Sequence, residues 1–288
     1  MRNEQKNIII FTDPGMDDAI ALIWLAKQKQ INIKGIVPVA GNHNPKQTHR
    51  NTKKLLSMLN LSHIPIFSTL NYSQNYNILS SIHGKDGMGD ITERIELGNF
   101  SFDVRDFGDI QAITDESYEI LSLGPCTMLL KFLESKITNK PEIITIMGGA
   151  YKRKGNYKNG HEFNFGMDPS SVEKVFSNTE CRLKVVPLDV TEKLKITSDI
   201  IQFNHFNNYS NGDSLLFEFC KRYLELARKR GVFVAVAHDL VAALSLLYPD
   251  IFTYKKGKLT LEKTKLKINQ GDRDQLAVDV DINEIKIV

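Results

Sequence analysis

Two hydrophobic periods alternate along the chain. Ile8–Phe11 is an unbroken apolar run, so Asn7–Thr12 reads as a strand covered on both faces. Asp17–Lys29 shifts to the helical period, with Ala19, Ile20, Leu22, Ile23, Leu25 and Ala26 on its inward stripe. Ile33–Ala40 reads as a second strand ending at Gly41–Asn42. Pro45–Leu59 reads as a helix with proline in its first turn, and Pro65–Ser68 as a short third strand. From Thr69 to Asp115 the periodicity weakens, and Gly84, Gly87, Gly89, Gly98 and Gly108 interrupt it. So long an unpatterned stretch reads as a functional loop or an insertion. Order returns with strands at Tyr118–Leu123, Ile143–Met147 and Leu183–Pro187. Helices are predicted at Cys126–Glu134, Ser170–Ser177, Leu215–Lys229 and Asp239–Leu247, and Phe252–Val288 reads as β-hairpin material.

Strands alternating with helices predict an α/β fold: an open, mostly parallel, Rossmann-like central sheet flanked by helices, with a small C-terminal β-hairpin region. No repeat or low-complexity linker divides the pattern, so residues 1–288 read as a single domain. Composition is that of an ordinary globular protein, 42% apolar and 25% charged. The formal charge of +3 argues against a nucleic-acid partner. The basic stretch Lys255–Lys267 alternates with apolar residues and reads as a solvated hairpin face. Cys126, Cys181 and Cys220 are odd in number and widely spaced, as expected of reduced thiols in a cytoplasmic protein. The N-terminal apolar run is too short for a signal peptide, and no segment approaches the ~20 apolar residues that span a bilayer.

The chemistry concentrates where the first strand ends. Asp13, Asp17 and Asp18 fall within one short turn containing Pro14 and Gly15, at the carboxyl end of a buried strand, where open α/β sheets place their ligand sites. Three acids this close repel one another at neutral pH, and a hard, oxygen-preferring cation offsets that repulsion. The plainer reading, two acids at the positive end of a helix dipole, leaves Asp13 unexplained. Glu162 and Asn164 alternate with Phe163 and Phe165, which on an extended segment places both polar groups on one side. Asp168 precedes Pro169 and a helical pattern, and so reads as an N-cap. Asn42 follows a strand, either as a ligand group or as a turn residue. His238–Asp239 follows the apolar run Phe233–Ala237, which reads as the end of a buried strand. Asp239 alone is an unremarkable helix N-terminus, but His238 beside it titrates where a leaving-group acid should.

The segment from Thr12 to Ala21, TDPGMDDAIA, resembles the N-terminal signature of the inosine–uridine-preferring nucleoside hydrolases. Further motifs match in order: VAGN at Val39–Asn42, IHGKDGMGD at Ile82–Asp90, LGPCT at Leu123–Thr127 and IMGGA at Ile146–Ala150. Gly155–Asn156, Glu162–Asn164 and Ala237–Asp239 complete the set, which runs from Ile8 to about Ile282. The resemblance implies a Ca²⁺-dependent enzyme that splits ribonucleosides into ribose and free base. It makes Asp13 the general base that activates a calcium-bound water and also a metal ligand. Asp18, Asp239 and the Thr127 carbonyl complete the metal set. Asp17, Asn42, Asn156, Glu162 and Asn164 would hold the ribose hydroxyls, with Met147 near the sugar. His83 would close over the base side, and His238 would donate a proton to the departing base. The family likeness also implies a homodimer or homotetramer.

Three positions depart from the family pattern. Phe11 stands where an acid is common, Met128 where an asparagine follows the ligand threonine, and Leu240 where a proline follows His-Asp. Two other functions compete: a catalytically silent nucleoside-binding protein, which Phe11 makes thinkable, and a Mg²⁺-dependent phosphohydrolase. Against the latter, Phe11–Thr12–Asp13 supplies one acid where a nucleophilic-aspartate phosphatase wants two.

Overall fold

The structure is a computed structural model that describes residues 5–91, 101–199 and 211–282. The expected hairpin tail beyond residue 282, Gly98 and His205 lie outside the described residues. The strands are β1 (Lys6–Thr12), β2 (Ile31–Pro38), β3 (Ile66–Ser68), β4 (Val104–Asp106), β5 (Glu119–Ser122), β6 (Ile143–Met147), β7 (Arg182–Val186), β8 (Lys195–Ile196), β9 (Ala235–Val236), β10 (Phe252–Glu262) and β11 (Lys265–Val280). The helices are α1 (Met16–Ala26), α2 (Pro45–Met58), α3 (Ser80–His83), α4 (Thr127–Glu134), α5 (Phe163–Met167), α6 (Pro169–Asn178), α7 (Leu188–Thr191), α8 (Asn211–Lys229) and α9 (His238–Leu247). None of these helices is long and apolar enough to cross a membrane.

Nine strands form one sheet in the order β10-β11-β7-β6-β5-β1-β2-β3-β4. All neighbours run parallel except the hairpin β10–β11, whose second strand joins the sheet parallel to β7. The C-terminal hairpin is therefore the sheet's edge, not an appendage. Period-2 alternation splits the core. Ile8 and Ile10 join an apolar cluster with α1, α8 and α9, while Ile9 and Phe11 join another with α4 and α6. Burial on both faces is why β1 reads as a continuous apolar run. β1 pairs with β2 on one side and β5 on the other, so the chain leaves it in both directions. Its carboxyl end is thus a topological switch point, where neighbouring loops diverge and leave a crevice.

Two local expectations are corrected. Residues 162–165 are not extended: Glu162 caps α5, its carboxylate accepting the N–H groups of Asn164 and Phe165. The apolar run before His238 is not a strand of the main sheet. Only Ala235 and Val236 are strand, pairing antiparallel with β8 in a separate two-stranded sheet. Val232 and Val234 line a cavity instead of packing into a core, while Phe233 between them is 75% exposed.

One core position carries a polar group with nothing to bond. Thr145 on β6 is fully buried, and its Oγ1 has no hydrogen-bond partner among the described residues. A desolvated, unpaired hydroxyl costs about 1–3 kcal/mol. Thr145→Val keeps the shape and is expected to raise the melting temperature by about 1.5–2 °C per kcal/mol recovered. Calorimetry checks this; a lowered melting temperature would show that the hydroxyl is bonded after all.

Candidate active site

The turn after β1 is built around two carboxylates, those of Asp13 and Asp18. Asp18, in the first turn of α1, accepts the Thr12 hydroxyl at 2.5 Å and the Gly15 N–H at 2.9 Å. The second bond closes the helix N-terminus from inside, as an acid at the third position of a helix does. Asp13 accepts the Asn42 N–H at 2.7 Å, and the Asn42 side-chain amide donates to the Asp13 carbonyl and to Asp18 Oδ2 at 3.2 and 3.3 Å. Asn42 thus binds the loop after β2 to the loop after β1.

Glycine is required on both sides of Asp13. A Cβ at Gly41 would stand 2.1 Å from its Oδ2, and one at Gly124 2.5 Å from its Oδ1. The loop that carries Thr127 therefore passes against this carboxylate. Asp17, Asp18 and Asp239 each present an oxygen within 4.8 Å of the others, a geometry that could hold a metal ion. The trio includes Asp17, expected to bind sugar, and leaves out Asp13, which is nevertheless close enough to raise the proton affinity of Asp239. Thr127 Oγ1 is spent on Asp168 at 2.8 Å, so its backbone carbonyl is the group left to consider as a ligand. Asp168 caps α6 as expected, accepting the Ser171 N–H at 3.1 Å.

Burial dominates the electrostatics. Asp13, Asp18 and Asp239 are at most 3% exposed, and desolvation followed by neighbouring carboxylates pushes the Asp13 and Asp239 carboxyls well up. Burial and Asp18 push Asp17 up from 3.8 to about 8. Burial also raises Asp18, against the hydrogen bonds from Thr12 and Gly15. Among the described residues no lysine or arginine makes an ion pair with any of the four. A donor set of buried, mutually repelling carboxylates fits a hard divalent cation.

Above the acids lies a cavity of about 310 Å³ lined by Asp17, Asn42, His83, Met147, Asn156, Glu162, Asn164, His238 and Asp239. All expected substrate-side residues are thus brought together, while Asp13, Asp18 and Thr127 do not line it. Asn164 Nδ2 donates to the Leu123 and Met147 carbonyls at 2.6 and 3.2 Å, so Oδ1 is the part of the amide left for a ligand. Glu162 is committed to backbone: besides capping α5 it accepts the Gly149 N–H at 2.8 Å. Asn156 Oδ1 accepts the Phe163 N–H at 3.0 Å, leaving its amide nitrogen for a ligand.

Two histidines face this cavity and both are neutral. His83 Nδ1 accepts the Met16 N–H at 3.0 Å, and its ring stacks on Tyr223 with centroids 6.1 Å apart. Burial lowers it from 6.5 to about 3. His238 Nδ1 pairs with Thr191 Oγ1 at 2.7 Å, and burial lowers it to about 4. A group with that pKa holds no imidazolium proton at neutral pH; it can only share a neutral N–H. His43 and His49 are buried packing residues, whereas His63 is exposed and His161 partly so. Tyr157, Phe163 and Val234, which sequence reasoning missed, also stand on the cavity wall, together with Tyr223 and Arg230.

Two departures from the family pattern share one place. Phe11 and Met128 are fully buried in the same apolar cluster, with Phe11 edge-on to Phe132 at 5.9 Å. Ser122, opposite Phe11 in the β1–β5 register, is left with an unpartnered hydroxyl. Leu240 is buried in the other cluster.

A family model described as inosine-uridine preferring nucleoside hydrolase matches residues 8–286. Pyrimidine-specific ribonucleoside hydrolase RihA of Escherichia coli O1:K1 / APEC is 30% identical, over 92% of this chain and 86% of that protein. Uridine nucleosidase 1 of Arabidopsis thaliana is 27% identical, over 94% and 83%. Among solved structures, a purine-preferring ribonucleoside hydrolase from Gardnerella vaginalis superposes with a TM-score of 0.84 at 20% identity, covering 96% of this chain and 95% of that one. The plant nucleoside hydrolase PpNRh1 superposes with a TM-score of 0.83 at 23% identity, covering the same shares. At those identities the superpositions speak for the fold.

The acid cluster makes stability depend on pH in a definite direction. A carboxyl whose pKa is higher folded than unfolded stabilises the fold while it keeps its proton. For Asp17 that contribution is full below about 3.8 and is lost as pH rises toward 8. Buried neutral histidines such as His83 and His238 oppose this slope below their ordinary pKa of about 6.5, so in excess chelator the melting temperature is expected to fall from about pH 6.5 to pH 8. A bound divalent cation, which stabilises by mass action, should remove most of that slope. Scanning calorimetry with and without Ca²⁺ checks both; a flat profile in chelator contradicts the carboxylate repulsion.

Proposed function

The chain belongs to the inosine-uridine preferring nucleoside hydrolase family and is a ribonucleoside N-glycosidase; from that premise we propose a mechanism in which Asp13 is the general base beside a calcium ion. The observation that carries this reading is the convergence of Asp13, Asp17, Asp18 and Asp239, all buried, beneath a cavity walled by amides and aromatic rings. Asp13, Asp18, Asp239 and the Thr127 carbonyl would hold the ion. Bound there, Ca²⁺ would supply a Lewis acid that makes water more acidic and an oxygen-preferring charge that favours sugar hydroxyls.

The remaining roles follow from where the side chains stand. Asp17 lines the cavity while Asp13 and Asp18 lie beneath it, which supports Asp17 as a ribose ligand with Asn42, Asn156, Glu162 and Asn164. Two of these amides are complementary toward a sugar: Asn156 has its nitrogen left to donate to a hydroxyl, and Asn164 its oxygen left to accept from one. Met147 packs against the ring. As the N-glycosidic bond breaks, C1′ gains oxocarbenium character, and the surrounding carboxylates and amide oxygens are already aimed at that positive charge. Water adds its hydroxyl to C1′ and passes its proton to Asp13; the base leaves with the bonding electron pair and takes up a proton from solvent, and Asp13 returns its own to solvent to complete the turnover. His238 is a neutral hydrogen-bond donor to that base, held in place by Thr191.

Incubation with inosine, adenosine, uridine, cytidine and their 2′-deoxy forms in Ca²⁺, with free ribose as the readout, tests the activity. Deoxyribosides are expected to react poorly. Asp13→Asn keeps the Asn42 N–H bond and should lower kcat by about 10²–10⁴-fold, the usual worth of a general base, with the fold intact. Release of base at near-wild-type rate by that variant would overturn the assignment.

A further inference from the structure

We propose that Arg222 is a positioning residue for this reaction: it locks the loop of residues 84–90 against α8, so that His83 and Tyr223 form one fixed wall of the base subsite. The inference rests on the hydrolase reading above and assigns work to a residue outside the cavity.

The loop is closed on itself. Asp86 Oδ1 accepts the Met88 and Asp90 N–H groups at 2.7 and 2.8 Å, and Asp90 Oδ1 accepts those of Lys85 and Asp86 at 2.6 and 3.2 Å. Its last turn returns to the histidine, where the Gly89 N–H donates to the His83 carbonyl at 2.6 Å. Any displacement of Gly89 is therefore passed to the His83 backbone.

The loop is anchored on two sides. On α2, the buried Asn51 amide donates to the Asp86 carbonyl at 2.8 Å and to the Pro14 carbonyl at 3.1 Å, tying the loop to the Asp13–Asp18 turn. On α8, Arg222 Nε donates to the Gly89 carbonyl at 2.5 Å, and a second guanidinium nitrogen lies 3.7 Å from Asp90 Oδ2. The arginine stem lies over the glycine, since a Cβ at Gly89 would be 2.8 Å from both Arg222 Cγ and Met16 Sδ. The adjacent residue, Tyr223, stacks on His83 with an interplanar angle of 23°. One turn of α8 thus grips the loop through residue 222 and the imidazole through residue 223.

His83 in turn accepts the Met16 N–H on Nδ1, which puts its proton on Nε2. The chain of contacts runs from α8 through the loop and the imidazole to the first turn of α1, which carries Asp17 and Asp18. The Arg222 side chain is 25% exposed and its carboxylate contacts are loose, so its main bond is the one that fixes geometry, to a backbone carbonyl. Lysine, a point charge on a flexible stem, cannot reproduce the planar fork over Gly89.

The test compares Arg222→Ala and Arg222→Lys with the wild-type full chain, using uridine and inosine in Ca²⁺. The alanine variant is expected to lose about 10–100-fold in kcat/KM, mostly in kcat, as misplaced positioning groups do. Lysine should recover part of that loss. In ¹⁵N-histidine spectra without substrate, wild-type His83 should be the Nε2–H tautomer, and the alanine variant should show a mixture. Asp90→Asn keeps the carboxamide oxygen for the loop N–H groups and should change kcat only a few-fold, as loss of a partly exposed ion pair does. Wild-type kcat and an unchanged His83 spectrum in Arg222→Ala would overturn the proposal, and so would an Asp90→Asn loss equal to that of Arg222→Ala. If the wild type releases ribose from no nucleoside, the hydrolase reading fails, and the tautomer spectra alone still decide the role of Arg222.

Discussion

Mutual repulsion among buried carboxylates is the constraint around which this molecule is arranged. Asp13, Asp17, Asp18 and Asp239 are buried away from bulk water, and among the described residues no basic side chain pairs with them. Desolvating even one such charge costs several kcal/mol, so hydrogen bonds, bound protons or a cation must share the burden. The surrounding architecture supplies the first part. The Thr12 hydroxyl, the Gly15 N–H and both nitrogens of Asn42 donate into the cluster. The positive end of α1 adds its dipole. What these donors leave uncompensated is what a bound proton or a hard divalent cation would offset.

The sheet topology makes that gathering possible. Asp13 leaves the centre of the sheet, Asn42 the end of the strand on one side, and Gly124 and Thr127 follow the strand on the other. Three loops from adjacent strands can meet at a point only where the winding reverses. Asp239 comes from a helix packed on α1, so the acid most distant in sequence arrives by helix–helix contact rather than by the sheet. Side chains with no room to spare, such as those facing Gly41 and Gly124, then hold the Asp13 carboxylate to one orientation.

How much of this was legible depended on how local each determinant is. The β1–Asp13–α1 unit could be read from the chain because its apolar run, turn and acids are contiguous, and Asn42 because it ends the next strand. The Glu162 segment misled, because a polar–apolar alternation over four residues suits a strand and also a helix start capped by a carboxylate; the cap bonds decide it. His238 suggested a titrating acid by residue type alone. Its charge state is set by burial and then by the Arg153 charge, and its ring is held by Thr191, 47 positions away, none of which a local pattern announces. The Arg222–Gly89 bond spans 133 positions and was equally invisible. Local chemistry was readable; the partners that tune it were tertiary.

The hydrocarbon near Asp13 has a consequence for reactivity. Phe11, two residues before Asp13, belongs with Met128 and Phe132 to one apolar, poorly polarisable cluster. Hydrocarbon does little to screen the nearby carboxylates, and low-dielectric walls focus a potential toward the cleft they border. Replacing an acid by a phenyl ring at this depth removes one negative charge, yet it aims the remaining ones.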